Sequence, residues 1–143
     1  MTKSEFQLQD FLPYLLNRAA EKSSLEFQQV YKSRYGMLRI EWRVLFHLGA
    51  YGEMTARDLC VKAGLHKTKV SRAVTALEEK RFLTRSENPE DRRFEFLKLT
   101  KHGHKAYEDL HLKAKEFQAE ISRNMTKGEL ETLTHSLQKL IAD

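Results

Sequence analysis

Apolar residues recur at helical spacing through most of this chain. Phe11, Leu12, Leu15, Leu16, Ala19 and Ala20 form a stripe that Phe27, Val30 and Tyr31 continue, predicting a long helix over residues 5–33. Pro13 requires that helix either to start near it or to bend there. Trp42, Val44, Leu45 and Leu48 predict a short second helix from Ile40 to Leu48, closed by a loop at Gly49-Ala50-Tyr51-Gly52. The hydroxyl of Thr55 can cap a third helix, with Asp58 in the fourth place of the box and Met54 and Leu59 as a hydrophobic staple. Gly64 stops this helix within about three turns. The next helix runs from His66 to about Lys80, with Val70, Ala73, Val74 and Leu77 at i, i+3, i+4 and i+7.

The period then changes. Phe82 to Arg85 and Phe94 to Leu99 read as two strands around the turn-forming segment 86–93, a hairpin with a charged tip. Thr100 caps a long helix to about Asn124, and Thr126 with Glu129 forms a capping box stapled by Met125 and Leu130. The last helix carries Leu130, Leu133, Leu137, Leu140 and Ile141. The predicted fold is mainly α with a small β-hairpin wing, in the order α-α-α-α-β-β-α-α. Two short helices joined by a glycine turn make a helix-turn-helix. Residues 1–143 then form one domain, with a winged helix-turn-helix lobe at about 40–100 and flanking helices at about 5–35 and 101–142. Those flanking helices offer more apolar surface than so small a lobe can cover. The simplest solution is a homodimer about a two-fold axis, which would set two reading helices about 34 Å apart, one turn of duplex.

Charge sharpens the picture. The chain has a formal net charge of +5 over 143 residues. Residues 62–93 hold nine basic and five acidic side chains, while the last fifty residues balance. A patch so concentrated on the helix-turn-helix and hairpin suggests a polyanion partner. On the recognition helix, the face opposite the apolar stripe presents Thr68, Arg72 and Thr75, flanked by Lys69 and Ser71. These side chains suit base edges and phosphates, and Lys67 adds charge at the helix N-terminus. Thr75 can equally serve only to cover the helix. Double-stranded DNA is the favoured partner, and a winged-helix protein-interaction module is the alternative.

Other chemistry is sparse. Six Gly and two Pro leave little for a turn-rich β fold, and no apolar run nears the roughly 18 residues of a membrane span. The first ten residues carry acid and amide where a secretory signal needs a basic start, so a cytoplasmic protein is expected. No phosphate-binding or hydrolase signature and no nucleophile–base pair stands out, so no enzyme activity, cofactor or metal is expected. Cys60, the single cysteine, falls beside Leu59 and reads as a buried structural residue. His102 and His104 lie two apart on a helix and point away from each other, which makes a poor chelate. A small-molecule site has candidates in Tyr14 and Arg18 on the first helix and Trp42, Arg43 and His47 on the second. Together they supply a guanidinium and apolar walls for an aromatic carboxylate. Each also has an ordinary explanation in core packing, an ion pair or a helix surface.

From Thr55-Ala-Arg-Asp-Leu59 through Leu65-His-Lys-Thr-Lys-Val-Ser-Arg72 to Leu77-Glu-Glu-Lys80, the sequence resembles the MarR family of transcriptional regulators. The likeness resumes at Pro89-Glu-Asp-Arg-Arg93, runs into Leu97-Lys-Leu-Thr100 and Gly103, and includes Pro13 to Arg18 and Glu41-Trp-Arg43. It implies a homodimeric regulator on a pseudo-palindromic operator, commonly a repressor released by a small phenolic or aromatic acid. It maps major-groove contacts onto Thr68, Lys69, Ser71, Arg72 and Thr75. Arg93, with Arg92 beside it, goes to the wing's minor-groove contact, and Asp91 to orienting an arginine. One departure is His66, which stands where the family usually has Ser or Asp at the helix N-cap.

Overall fold

The structure, a computed structural model, describes residues 6–142. The expected helix start at residue 5 lies outside them. Leu8–Asp10 forms a single 3-10 turn, and α1 (Leu12–Tyr35) begins with Pro13 in its first turn. There its missing N–H removes no helical hydrogen bond, so the proline starts the helix rather than bending it. Gly36, in the left-handed region at φ 64°, ends α1.

α2 (Arg39–Tyr51) continues three residues beyond the expected end at Leu48. Gly49 is helical because α5 packs there. A Cβ at Gly49 would occupy the space of the Tyr107 ring, so this glycine permits close helix approach instead of marking a stop. α3 (Ala56–Ala63), α4 (Lys67–Glu79), α5 (Lys101–Ile121) and α6 (Lys127–Ile141) follow the expected order, with α5 ending three residues short of Asn124. The hairpin is β2 (Leu83–Glu87) with β3 (Glu95–Leu99), paired antiparallel from Leu83↔Leu99 to Glu87↔Glu95. Between α2 and α3 lies an unanticipated strand, β1 (Met54–Thr55), which pairs with β3 at Met54↔Leu97 and Thr55↔Phe96. Two residues are too few for alternation to show in a sequence. The sheet order is β1-β3-β2.

One core joins these elements. Val44, Leu45 and Leu48 of α2 meet Leu59 of α3, Val70, Val74 and Leu77 of α4, Leu83, Leu97 and Leu99 of the sheet, and Leu110 of α5. The stripe read from α4 is therefore its inward face. α6 differs completely, having no buried residue. Phe11, Leu12, Leu15 and Leu16 at the start of α1 are likewise exposed, as are Leu133, Leu140 and Ile141. No helix among the described residues is long and apolar enough to cross a membrane.

Candidate nucleic-acid interface and cavity

The helix-turn-helix is built from local hydrogen bonds. Thr55 Oγ1 accepts from the Asp58 N–H at 3.1 Å to open α3, and Gly64 closes it at φ 64°. Arg43 of α2 reaches the same turn, where its Nη2 donates to the Ala63 carbonyl at 2.6 Å. His66 opens α4, with Nδ1 accepting from the Thr68 N–H at 3.2 Å. The departure from the usual Ser or Asp thus keeps a side-chain cap, supplied by an imidazole nitrogen.

α4 separates its residues cleanly. Val70, Ala73, Val74 and Leu77 are buried, while Lys67, Thr68, Lys69, Ser71, Arg72 and Thr75 are all exposed. Thr75 has a further engagement. Its hydroxyl accepts from Arg85 Nη2 of β2 at 2.8 Å, and Arg85 Nε donates to Glu78 at 3.1 Å. Arg85 thereby fastens the first wing strand to the last turns of α4.

At the wing tip, Asp91 pairs with Arg93 in fork geometry. Arg93 Nε and Nη2 donate to the two carboxylate oxygens at 3.0 and 2.8 Å, and the Arg93 N–H donates to Oδ1 at 3.1 Å. Those bonds hold the Asp91 carboxyl below the usual carboxylate range. The pair fixes the Arg93 guanidinium while leaving its side chain 82% exposed, and Arg92 is exposed beside it. A cation absent from the sequence reading joins them. Arg57 of α3 lies 5.9 Å from the Phe94 ring centre, with Arg93 at 5.7 Å from the same ring. Pairing of β1 with β3 brings the start of α3 to the wing base, and that pairing had no sequence signature.

The five residues read as a small-molecule site are not brought together within the chain. Tyr14 and Arg18 bond one another at 3.0 Å on the open half of α1. Arg43 reaches the end of α3, and His47 stays on its own helix, with Nδ1 2.7 Å from the Arg43 carbonyl. Trp42 alone lines a cavity of about 270 Å³ between α1, α2 and α5, whose walls include Ser23, Phe27, Tyr31, Arg39 and Phe117. Trp42 stacks on Tyr31 with ring centres 5.5 Å apart, and Phe27 meets it edge-on at 5.2 Å. Burial pushes the Tyr31 hydroxyl above its ordinary range, opposed by the Arg39 charge, and burial lowers Arg43. Trp42 Nε1 is buried without a hydrogen-bond partner among the described residues.

The guanidinium on the cavity is therefore Arg39, not Arg43. Residues three apart share a helix face and adjacent residues do not, so Arg39 was the choice the sequence itself favoured. Cys60 packs against the core but is half-buried rather than buried as expected, and His102 and His104 are both exposed, His102 stacking on Phe82 at 4.7 Å. Among the described residues, no three His, Cys, Asp or Glu side chains gather to hold a metal.

A three-stranded sheet with a hairpin wing, set beside a helix-turn-helix and flanked by long helices, defines a winged-helix protein. The model of the MarR family matches residues 35–93. A MarR family transcriptional regulator from Silicibacter pomeroyi is 30% identical with a TM-score of 0.81, covering 94% of this chain and 89% of that one. The uncharacterized HTH-type transcriptional regulator YwaE of Bacillus subtilis is 27% identical over 125 residues, 87% of this chain and 73% of that protein. The homoprotocatechuate degradative operon repressor of Escherichia coli is 25% identical over 135 residues, 94% of this chain and 90% of the repressor. The chain belongs to the MarR family. Its relatives are transcriptional regulators and not enzymes.

Proposed function

We propose that this chain is a homodimeric, sequence-specific DNA-binding repressor whose residues 1–143 form one MarR-type domain. The observation that carries this reading is the exposed polar face of α4, beside a wing tip that holds Arg92 and Arg93. In this reading Thr68, Lys69, Ser71 and Arg72 meet base edges and nearby phosphates in the major groove, with Lys67 on a phosphate at the helix start. Arg93 enters the minor groove, pre-oriented by Asp91, so little side-chain freedom is lost on binding. Thr75 acts as the brace for the wing through Arg85.

The unpartnered apolar faces of α1 and α6 support the dimer, since exposed Leu and Phe side chains at helical spacing need a second surface. The cavity supports a small aromatic acid as the releasing effector. Arg39 supplies the guanidinium, Tyr31 and Trp42 the aromatic walls, and Trp42 Nε1 a donor awaiting an acceptor. The Escherichia coli relative is named for an operon degrading one such acid.

The test is fluorescence anisotropy against a duplex selected from a random pool, beside a scrambled duplex, over a salt series. Tight binding to the selected duplex that weakens steeply with salt is expected. Arg72→Ala should narrow the gap between the two duplexes by about 1–3 kcal/mol, whereas Arg93→Ala should weaken both alike. Equal, weak binding of the unaltered protein to both duplexes overturns the reading in favour of a protein-interaction module.

A further inference from the structure

Glu41 is the one charged side chain buried in the interior among the described residues, 4% exposed. Its carboxylate accepts from Lys80 Nζ at 2.7 Å, and the same ammonium donates to the Gly36 carbonyl at 2.7 Å. Lys80 is the C-cap of α4, Gly36 the C-cap of α1, and Glu41 lies in the first turn of α2. One ammonium therefore joins the end of the recognition helix to the corner between α1 and α2.

The two helices that meet at that corner also wall the cavity, although neither Gly36 nor Glu41 lines it. Phe27 and Tyr31 line it from the last turns of α1, and Arg39 and Trp42 from the first turn of α2, on either side of Glu41 in sequence. Both acceptors of Lys80 thus sit at the ends of two of the three helices that wall the cavity. Apolar side chains would hold two helices together at less desolvation cost than a buried carboxylate, whereas an ion pair with two directed bonds fixes one geometry. Beyond Lys80 the chain turns sharply. Arg81 is the sole non-glycine residue at positive φ among those described, and the Phe82 N–H donates back to the Leu77 carbonyl at 2.9 Å.

We propose that Lys80 is a positioning residue, a latch that sets the orientation of α4 through Glu41 and Gly36 and passes the state of the cavity to it. The transmission half of the proposal rests on the effector reading above. The orientation half does not.

Lys80→Met should lower the preference for selected over scrambled duplex about tenfold, and Glu41→Gln should do the same. The double variant should lose no more than either single change, because both break one link. It also removes both charges, so it remains usable if a single variant fails to fold. Lys80→Arg, which keeps two donors, should restore the preference. The salt slope should not change, since the ammonium is committed to Glu41 and the Gly36 carbonyl. A shallower slope with parallel loss on both duplexes would make Lys80 a phosphate contact and overturn the latch, as would additive effects.

Trp42 is the only tryptophan, so its fluorescence reports cavity occupancy directly. With 4-hydroxyphenylacetate as the probe, the double variant should show the same quenching as the unaltered protein but no longer release DNA. Quenching with normal release overturns the transmission half. No quenching in the unaltered protein instead overturns the effector reading and transmission with it. Amide hydrogen exchange tests orientation without DNA. Glu41→Gln should speed exchange at the Arg81 and Phe82 N–H groups and leave Leu65 unaffected, and unchanged rates would overturn the latch.

Discussion

α4 and α6 carry apolar stripes of the same helical period, yet α4 buries four residues and α6 none. Both are well capped, α4 by His66 and α6 by a full box of Thr126 and Glu129. Capping and periodicity therefore make a helix without deciding where its apolar face goes. In α4 that decision comes from α2, α3 and the sheet, which close around Leu77. Among the described residues no corresponding surface closes over α6.

The sharpest test of this contrast is the same truncation in both places. Leu77→Ala, at a site with no exposure, should cost about 2–5 kcal/mol of stability by chemical denaturation. Leu140→Ala, 57% exposed, should leave protomer stability within about 0.5 kcal/mol and instead weaken self-association in sedimentation. Equal destabilisation at the two sites would break the comparison.

Glycine gives a second pair. A Cβ at Gly103 would run into the Phe82 carbonyl, so Gly103→Ala should cost about 1–3 kcal/mol by thermal melting. Gly128 in α6 has only the Thr126 hydroxyl near, at 3.9 Å, and Gly128→Ala should be neutral or stabilise by about 0.5 kcal/mol.

The smallest effect is expected where α1 meets α5. Asp109 accepts from Tyr35 and from Arg34, bonds that hold its carboxyl below the ordinary range. The folded state then binds fewer protons than the unfolded one near that range. The stabilisation is therefore complete above about pH 5 and lost progressively as pH falls through the ordinary and then the depressed value. Acid denaturation profiles should show Asp109→Asn losing less stability over that interval than the unaltered protein, with the two converging at the lowest pH.

Most of the fold was legible because its helices are amphipathic and well punctuated. Gly64 stops α3, Thr100 and Thr126 open α5 and α6, and the change of period at Phe82 marks the wing. Gly49 misled because a glycine that lets Tyr107 approach looks the same in sequence as one that ends a helix. The polar face of α4 could be read from its own period. The cavity could not, since Ser23, Tyr31 and Phe117 converge from two helices nearly a hundred residues apart. Arg57 was hidden for the same reason, and the three-residue spacing of Arg39 and Trp42 was the one trace of the cavity in the sequence.

The fastening of Arg85 to Thr75 and Glu78 has a mechanical meaning. α4 and the wing are two prongs of one fork, and neither swings without the other. In the DNA-binding reading proposed above, a duplex that fits one prong but not the other is refused as a whole.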